Sequence, residues 1–250
     1  MNARGRESTD FYSVIADFYD EIFPFNEGTL RAVTASLPEG KTEAAVLDIG
    51  SATGSLANAL ARLGLRVTGI DADPRMIDLA RSACAGPDAP VFSVGDMLNI
   101  QELFPGTTFH LILCFGNTLV HLPDGAAIRG FFDQARRLLT ANGAFLYQIL
   151  NYDRVLDRGI EELPVIETPH VVFRRRYLPR DDGRLEFAVT LSLKETGEVL
   201  RGTLPLYPLR KQELAALLTA AGFSRQEYWS DFRMAPYDPD GMILVGRART

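Results

Sequence analysis

In Val46-Leu-Asp48-Ile-Gly50-Ser-Ala52-Thr-Gly54-Ser-Leu-Ala57 an apolar strand runs into an acid, turns through two glycines and enters a helix. Such a turn sets bare backbone against a ligand at the carboxyl edge of a parallel sheet. The acid inside it constrains the ligand. A diphosphate seated at the helix N-terminus would be repelled by the Asp48 carboxylate, whereas a cationic ligand would be held.

Strands and helices alternate on both sides of this turn. Residues 45–49 read as a buried strand, 55–63 as a helix closed by Gly64, and 65–70 as a second strand. Asp73-Pro74 caps a helix with Met76, Ile77 and Ala80 on one face. Residues 91–94, 109–115 and 144–150 read as further strands. Between the last two, Asp124 caps a helix whose stripe is Ile128, Phe131, Phe132, Ala135, Leu138 and Leu139, ending near Gly143. Repeated units of this length imply a parallel sheet with helices on both faces. Before them, Phe11, Ile15, Phe18 and Ile22 recur at helical spacing, as do Leu30, Val33 and Leu37, which predicts helices over the sheet edge.

The period changes after residue 160. Segments 171–178, 184–194 and 198–207 alternate as strands, joined at Asp182-Gly183 and Thr196-Gly197. Leu185, Phe187, Val189, Leu191 and Leu193 face one way while Glu186, Thr190 and Ser192 face the other, so one side of this antiparallel sheet is covered. A helix around Leu214, Leu217 and Leu218, stopped by Gly222, and strands near 225–232 and 242–247 complete the first pattern. The expected fold is a doubly wound α/β protein with a seven-stranded sheet. Its parts are a helical cap over 1–40, a ligand-binding core over 41–160, an antiparallel insertion over 161–208 acting as lid or substrate wall, and the closing helix and strands over 209–250.

Composition narrows the function. With 250 residues, nearly half of them apolar, the chain builds a core without disulfides or metal, and Cys84 and Cys114 are too few and too scattered for either. A net charge of -6 argues against a nucleic-acid partner. No apolar run approaches the roughly 18 residues of a membrane span and no signal peptide opens the chain, so a cytoplasmic protein is expected.

Three acids stand at or just past the ends of the first three strands. Asp48 suits an ammonium and a sulfonium. Asp71 accepts two hydrogen bonds and suits both hydroxyls of a ribose, and Asp96 in Gly-Asp-Met suits an adenine amino group. The Met97 backbone meets the ring nitrogen, and Ala72 and Met76 supply apolar contact to the adenine. Gly50, Ser51 and Gly54 form the turn itself. The ligand with those parts is S-adenosylmethionine, leaving as S-adenosylhomocysteine, with no metal required.

The order Asp-x-Gly-x-x-x-Gly, strand-end Asp, then Gly-Asp-Met resembles the class I S-adenosylmethionine-dependent methyltransferases over about residues 10–150 and the last strands. Where that family often has a middle glycine this chain has Ala52, an alanine expected to keep a negative φ. Cys114-Phe-Gly-Asn-Thr-Leu-Val-His-Leu-Pro-Asp124, Asn151-Tyr-Asp153, Leu206-Tyr-Pro208 and Asp231-Phe232 are similar to stretches of glycine N-methyltransferase in the same order. That resemblance implies a small-molecule acceptor, places Tyr19 beside the donor, and adds Asn117 and His121 to the pocket; Phe115 is assigned to the donor side, and Tyr207, an amphipathic residue near a strand end, to the acceptor wall. The arginine that grips the glycine carboxylate in that family is Leu150 here, which argues against glycine as acceptor. The N-terminal arginine that holds the methionine carboxylate there has no clear counterpart.

Methyl transfer from a sulfonium is an in-line displacement that asks the protein chiefly to align and desolvate. A neutral amine needs no base at the moment of attack, so nitrogen is the expected acceptor atom. An O-methyltransferase with His121 as base is the alternative within enzymes. A non-catalytic sensor of the donor is a second alternative, and a nicotinamide dehydrogenase a third, disfavoured by Asp48. Among Arg174, Arg175 and Arg176, alternation sends one or two opposite the rest, leaving one available to an acidic substrate. The acceptor's identity and any homo-oligomeric state stay open.

Overall fold

In a computed structural model, which describes Tyr12, residues 15–37 and residues 43–250, the chain forms two sheets. The strands are β1 (Ala45–Ile49), β2 (Arg66–Asp71), β3 (Val91–Val94), β4 (Phe109–Cys114), β5 (Leu139–Leu150), β6 (Ile166–Glu167), β7 (Val171–Pro179), β8 (Leu185–Leu193), β9 (Val199–Leu206), β10 (Arg225–Trp229) and β11 (Ile243–Arg249). Seven of them form the main sheet in the order β10-β11-β5-β4-β1-β2-β3, and β6 to β9 form a separate antiparallel sheet. β1 to β5 run parallel; β11 is antiparallel to both β5 and β10. The chain winds outward from β1 to β3 and then returns to place β4 on β1's other side. A crevice therefore opens at the carboxyl ends of β1 and β4. Among the described residues no helix is long and apolar enough to cross a membrane.

Alternate residues of each central strand feed two cores. Leu47, Ile49, Ile112 and Cys114 meet the Gly125–Leu138 helix through Ile128, Phe131, Phe132 and Ala135. Val46, Leu111 and Leu113 meet Val33, Ala57, Leu60, Ile77 and Ala80 on the opposite face. Burying each large side chain of the Gly125–Leu138 stripe contributes about 1.5–3 kcal/mol. The Asp124 cap, which accepts from the Ala127 amide at 2.8 Å, adds about 1 kcal/mol. Packing holds this helix, and the cap sets where it starts. Asp73 caps the Pro74–Ser82 helix in the same manner.

Three expectations change. The helix over 125 onward ends at Leu138, and β5 begins at once with Leu139 paired to Phe109. The register shifts between Phe109 and Leu111, and Gly143 sits inside that irregularity, where an added Cβ would lie 3.1 Å from the His110 carbonyl. The N-terminal segment does not lie wholly along the main sheet: Ile15 and Ile22 pack on Val171, Phe173, Val189 and Leu191 of the second sheet. They cover the apolar face that the alternation of β8 demanded. Phe11, expected to share in that packing, lies outside the described residues. Finally, Ala52 has φ +46° rather than a negative value.

These backbone facts set an expected outcome. A Cβ at Gly50 (φ +70°) would stand 2.5 Å from Thr118 Oγ1, so Gly50→Ala combines a left-handed backbone with overpacking. Urea unfolding should show a loss of more than about 2 kcal/mol for Gly50→Ala. Ala52→Gly, which relieves a left-handed alanine, should be neutral or gain up to about 1 kcal/mol.

Candidate functional site

The turn after β1 is pinned by its own amides. Gly50 N and Ser51 N both donate to the Ile70 carbonyl, at 2.8 and 2.9 Å, and Gly54 N donates to Ser51 O at 2.9 Å. Ala52 N donates to Asp71 Oδ2 at 2.9 Å. These four amides are spent on protein acceptors, so they form no open nest for a diphosphate. Gly54, in the left-handed conformation that opens the Ser55–Ala61 helix, backs onto Phe92 and Ala80 and does not line a cavity. It is needed for close packing, with a Cβ there falling 2.5 Å from Phe92 Cζ.

Around this turn lie adjoining cavities that share Tyr19. The first, about 280 Å³, is lined by Gly50, Ala52, Asp71, Ala72, Met76, Asp96 and Met97, and reaches Tyr12, Thr118 and His121. The second, about 430 Å³ and more open, is lined by Asp48, Gly50, Ser51, Thr53, Phe115 and Gln148. Thus every residue assigned to the donor from sequence lines one of these two, apart from Gly54. Residues of the N-terminal segment close them from above. Thr53 Oγ1 donates to Asp20 at 2.5 Å, and Arg75 of the Pro74–Ser82 helix pairs with Asp17 at 2.5 Å.

The acids differ in state. Asp48 is 4% exposed and makes no hydrogen bond or ion pair among the described residues. Burial, reinforced by the nearby Asp71, pushes its carboxyl up to about 7. Asp71 is also raised by burial, but the amides of Asp73 and Ala52 offset part of that, Asp73 N donating to Oδ1 at 3.0 Å. Asp96 is exposed and accepts from Leu98 N at 2.8 Å, which leaves its other oxygen open. A buried carboxylate without a partner is a site for a cation.

Beyond Tyr19 a further cavity of about 250 Å³ is lined by Tyr12, Phe23, Asn117, His121, Gln148, Leu150, Arg175, Phe187 and Leu206 among others. The second sheet thus supplies one of its walls through β7, β8 and β9. His121 ends the short Thr118–His121 helix, and its Nε2 lies 2.9 Å from the Tyr12 hydroxyl. Burial lowers its pKa to about 4, so the imidazole is neutral at pH 7. Asn117, at φ +69°, spends its side chain on the chain itself: Nδ2 donates to the Tyr152 hydroxyl at 3.0 Å and Oδ1 accepts from Leu150 N at 2.9 Å. It shapes the floor of the cavity. Tyr207 is not brought there; its hydroxyl donates to Glu213 at 2.6 Å, and its backbone amide donates to Val120 O.

Some lining residues escaped the sequence reading. Gln148 accepts from Gly116 N at 2.9 Å and stands where two cavities meet. Its signal was a lone amide inside the apolar run of β5. Thr118, whose hydroxyl donates to Phe115 O at 2.7 Å, packs against Gly50 and carried no such signal. Nor did Tyr12, which reaches the site only because the N-terminal segment folds back over it. Among the described residues no group of three or more His, Cys, Asp or Glu is placed to hold a metal ion.

Known proteins match this arrangement. Residues 46–143 match a family model described as a methyltransferase domain. A putative methyltransferase of Geobacillus sp. (strain WCH70) is 25% identical over 203 residues, covering 75% of this chain and 76% of that protein. A glycine/sarcosine/dimethylglycine N-methyltransferase of Actinopolyspora halophila is 26% identical over 213 residues, 80% of this chain but only 35% of the relative's length. The structure of the CcbJ methyltransferase from Streptomyces caelestis superposes with a TM-score of 0.79 at 24% identity, covering 94% of this chain and 96% of that one. The order of the seven strands and the matched segment agree: residues 46–143 match a methyltransferase domain, and the fold of the chain is that of the S-adenosylmethionine-dependent methyltransferases.

Proposed function

We propose that this enzyme transfers the methyl group of S-adenosylmethionine to a nitrogen of a small molecule held between Tyr19, His121 and the second sheet. The observation that carries the donor side is Asp48, a buried carboxylate at the tip of β1 without a partner among the described residues. It answers the cationic end of the donor. Asp71 retains lone pairs for the ribose hydroxyls, Asp96 has an oxygen open for the adenine amino group, and Ala72 and Met76 bound the ring. Ser51, Tyr19 and Phe115 close the path between donor and acceptor. Bound there, S-adenosylmethionine would supply a sulfonium methyl open to in-line attack by the nitrogen lone pair, the sulfur leaving as a neutral thioether and the methylated ammonium giving its proton to solvent.

His121 supports nitrogen over oxygen. A general base works best with a pKa near the operating pH, and an imidazole lowered to about 4 takes a hydroxyl proton poorly. As a neutral partner hydrogen-bonded to Tyr12 it is suited to orient an amine that arrives unprotonated. Desolvation by Phe23, Leu150 and Phe187 favours that neutral amine. The Actinopolyspora relative bears the name of an N-methyltransferase, in keeping with this reading.

Two measurements test it. Because Asp48 is raised to about 7, the empty protein holds a proton there that a cationic donor expels. Calorimetric affinity for S-adenosylmethionine should therefore climb from pH 6 to pH 8. Asp48→Asn should flatten that climb and weaken binding roughly ten- to hundred-fold. The empty protein obeys the opposite sign: a carboxyl raised on folding loses stability as pH rises through about 7, so Asp48→Asn should melt higher than wild type at pH 8. In the second measurement, conversion to S-adenosylhomocysteine is followed over amines and phenols with His121→Ala. Amine methylation should stay within about tenfold of wild type, well short of the roughly 10²–10⁴-fold loss of a general base. Phenols turned over faster than amines by wild type, with His121→Ala abolishing the reaction, would reverse the assignment to O-methylation.

A further inference from the structure

The cavity assigned to the acceptor is apolar over most of its wall, with Phe23, Leu150, Leu163, Phe187 and Leu206 facing in. Its charge comes from one side. Arg175 lies on β7 in the run Arg174-Arg175-Arg176, and strand alternation separates the three. Arg174 and Arg176 are exposed, and Arg176 pairs with Glu162 at 3.3 Å. Arg175 turns the other way, half-buried, with its guanidinium 5.6 Å from the Phe173 ring centre. One of its nitrogens, Nη2, donates to the Pro164 carbonyl at 2.8 Å. Its Nε is buried and has no hydrogen-bond partner among the described residues. No carboxylate among the described residues pairs with it.

An unmatched N–H on a desolvated guanidinium is costly, and folded chains rarely retain one without a use. No other described residue of this cavity supplies the missing charge. Its other described ionisable groups are Tyr12, Tyr19 and His121; burial raises both phenols and lowers the imidazole, so all three are uncharged near pH 7. The carboxylates Asp48, Asp71, Asp73 and Asp96 line the donor cavities and not this one. Cation-seeking and anion-seeking halves thus meet at Tyr19. Burial also pulls the Arg175 pKa down, as expected for a cation short of counter-charge.

We infer that Arg175 recognises the acceptor, which carries a carboxylate on an apolar body and presents its nitrogen toward Tyr12 and His121. A planar carboxylate matches the guanidinium fork and satisfies the orphaned Nε. The apolar wall fits the remainder of such a molecule. This rests on the cavity being the acceptor site of the methyl transfer proposed above, and it narrows the substrate class to amine-bearing acids.

Calorimetric titration of the S-adenosylhomocysteine-loaded enzyme with phenylpropanoate and with its neutral amide tests the inference without turnover. The acid should bind roughly ten- to hundred-fold tighter than the amide. Arg175→Met should erase that difference, and Arg175→Lys should keep part of it. Unchanged S-adenosylhomocysteine affinity in both variants certifies that the fold survives. Equal binding of acid and amide by wild type, or a preference that survives Arg175→Met, overturns the role of Arg175. The two readings fail separately. Acid preference without conversion of S-adenosylmethionine over any amine sinks methyl transfer and leaves the anion site, while rapid methylation of amino acids and their amides alike does the reverse.

Discussion

The carbonyl of Ile70 accepts from both Gly50 and Ser51, and the shape of the crevice follows from that shared bond. It ties the turn after β1 to the end of β2, so the chain must pass through left-handed φ at Gly50, Ala52 and Gly54 within five residues. Alanine at the middle position costs about 1–2 kcal/mol relative to ordinary backbone. The cost is tolerated because the Ala52 amide then meets Asp71 and fixes that carboxylate beside the cavity. Folded this way, the turn spends the amides of Gly50, Ser51, Ala52 and Gly54 on protein acceptors and leaves Asp48 buried without a partner among the described residues. In the proposed function, the loop shape that elsewhere cradles phosphates serves as a receptor for positive charge.

Charge is divided on either side of Tyr19. Toward β1, β2 and β3 the cavities carry carboxylates, one of them half-ionised near neutrality. Toward the second sheet the lining is apolar and bears Arg175. Such a separation suits the proposed displacement, in which a sulfonium methyl meets a neutral nucleophile and the two reactants would be held by different ends. The neutral pair Tyr12 and His121 sits between, adding hydrogen bonding without adding charge.

The two ends of one face of the second sheet have different duties. Val171, Phe173, Val189 and Leu191 take the N-terminal segment through Ile15 and Ile22. Tyr177, Leu185 and Leu206 join the main core instead. Because that N-terminal segment also reaches the Gly-rich turn through Asp20 and the Pro74–Ser82 helix through Asp17, it bridges both sheets above the donor cavities. Its polar contacts are solvent-exposed in part and individually weak, so its hold rests mainly on the two isoleucines.

Local chemistry was legible from the chain alone. The caps at Asp73 and Asp124, the Asp-Gly and Thr-Gly hairpins, the alternation of β8 and the three strand-end acids each depend on neighbours within a few residues, and each lies where its pattern placed it. What failed depended on distant partners. The Leu138 helix end was decided by Phe109, which captures Leu139 into β5. The hydroxyl of Tyr207 was decided by Glu213, and the sign of φ at Ala52 by the Ile70 carbonyl and Asp71. Choosing among three consecutive arginines required knowing which face of β7 meets the cavity. Sequence determined the order of elements and the placing of three acids at the strand ends, because periodicity and formal charge are properties of the chain. Only tertiary structure decided which side chains converge beyond the donor and which polar atoms are left unpaired, because burial and hydrogen bonding exist only once remote segments meet.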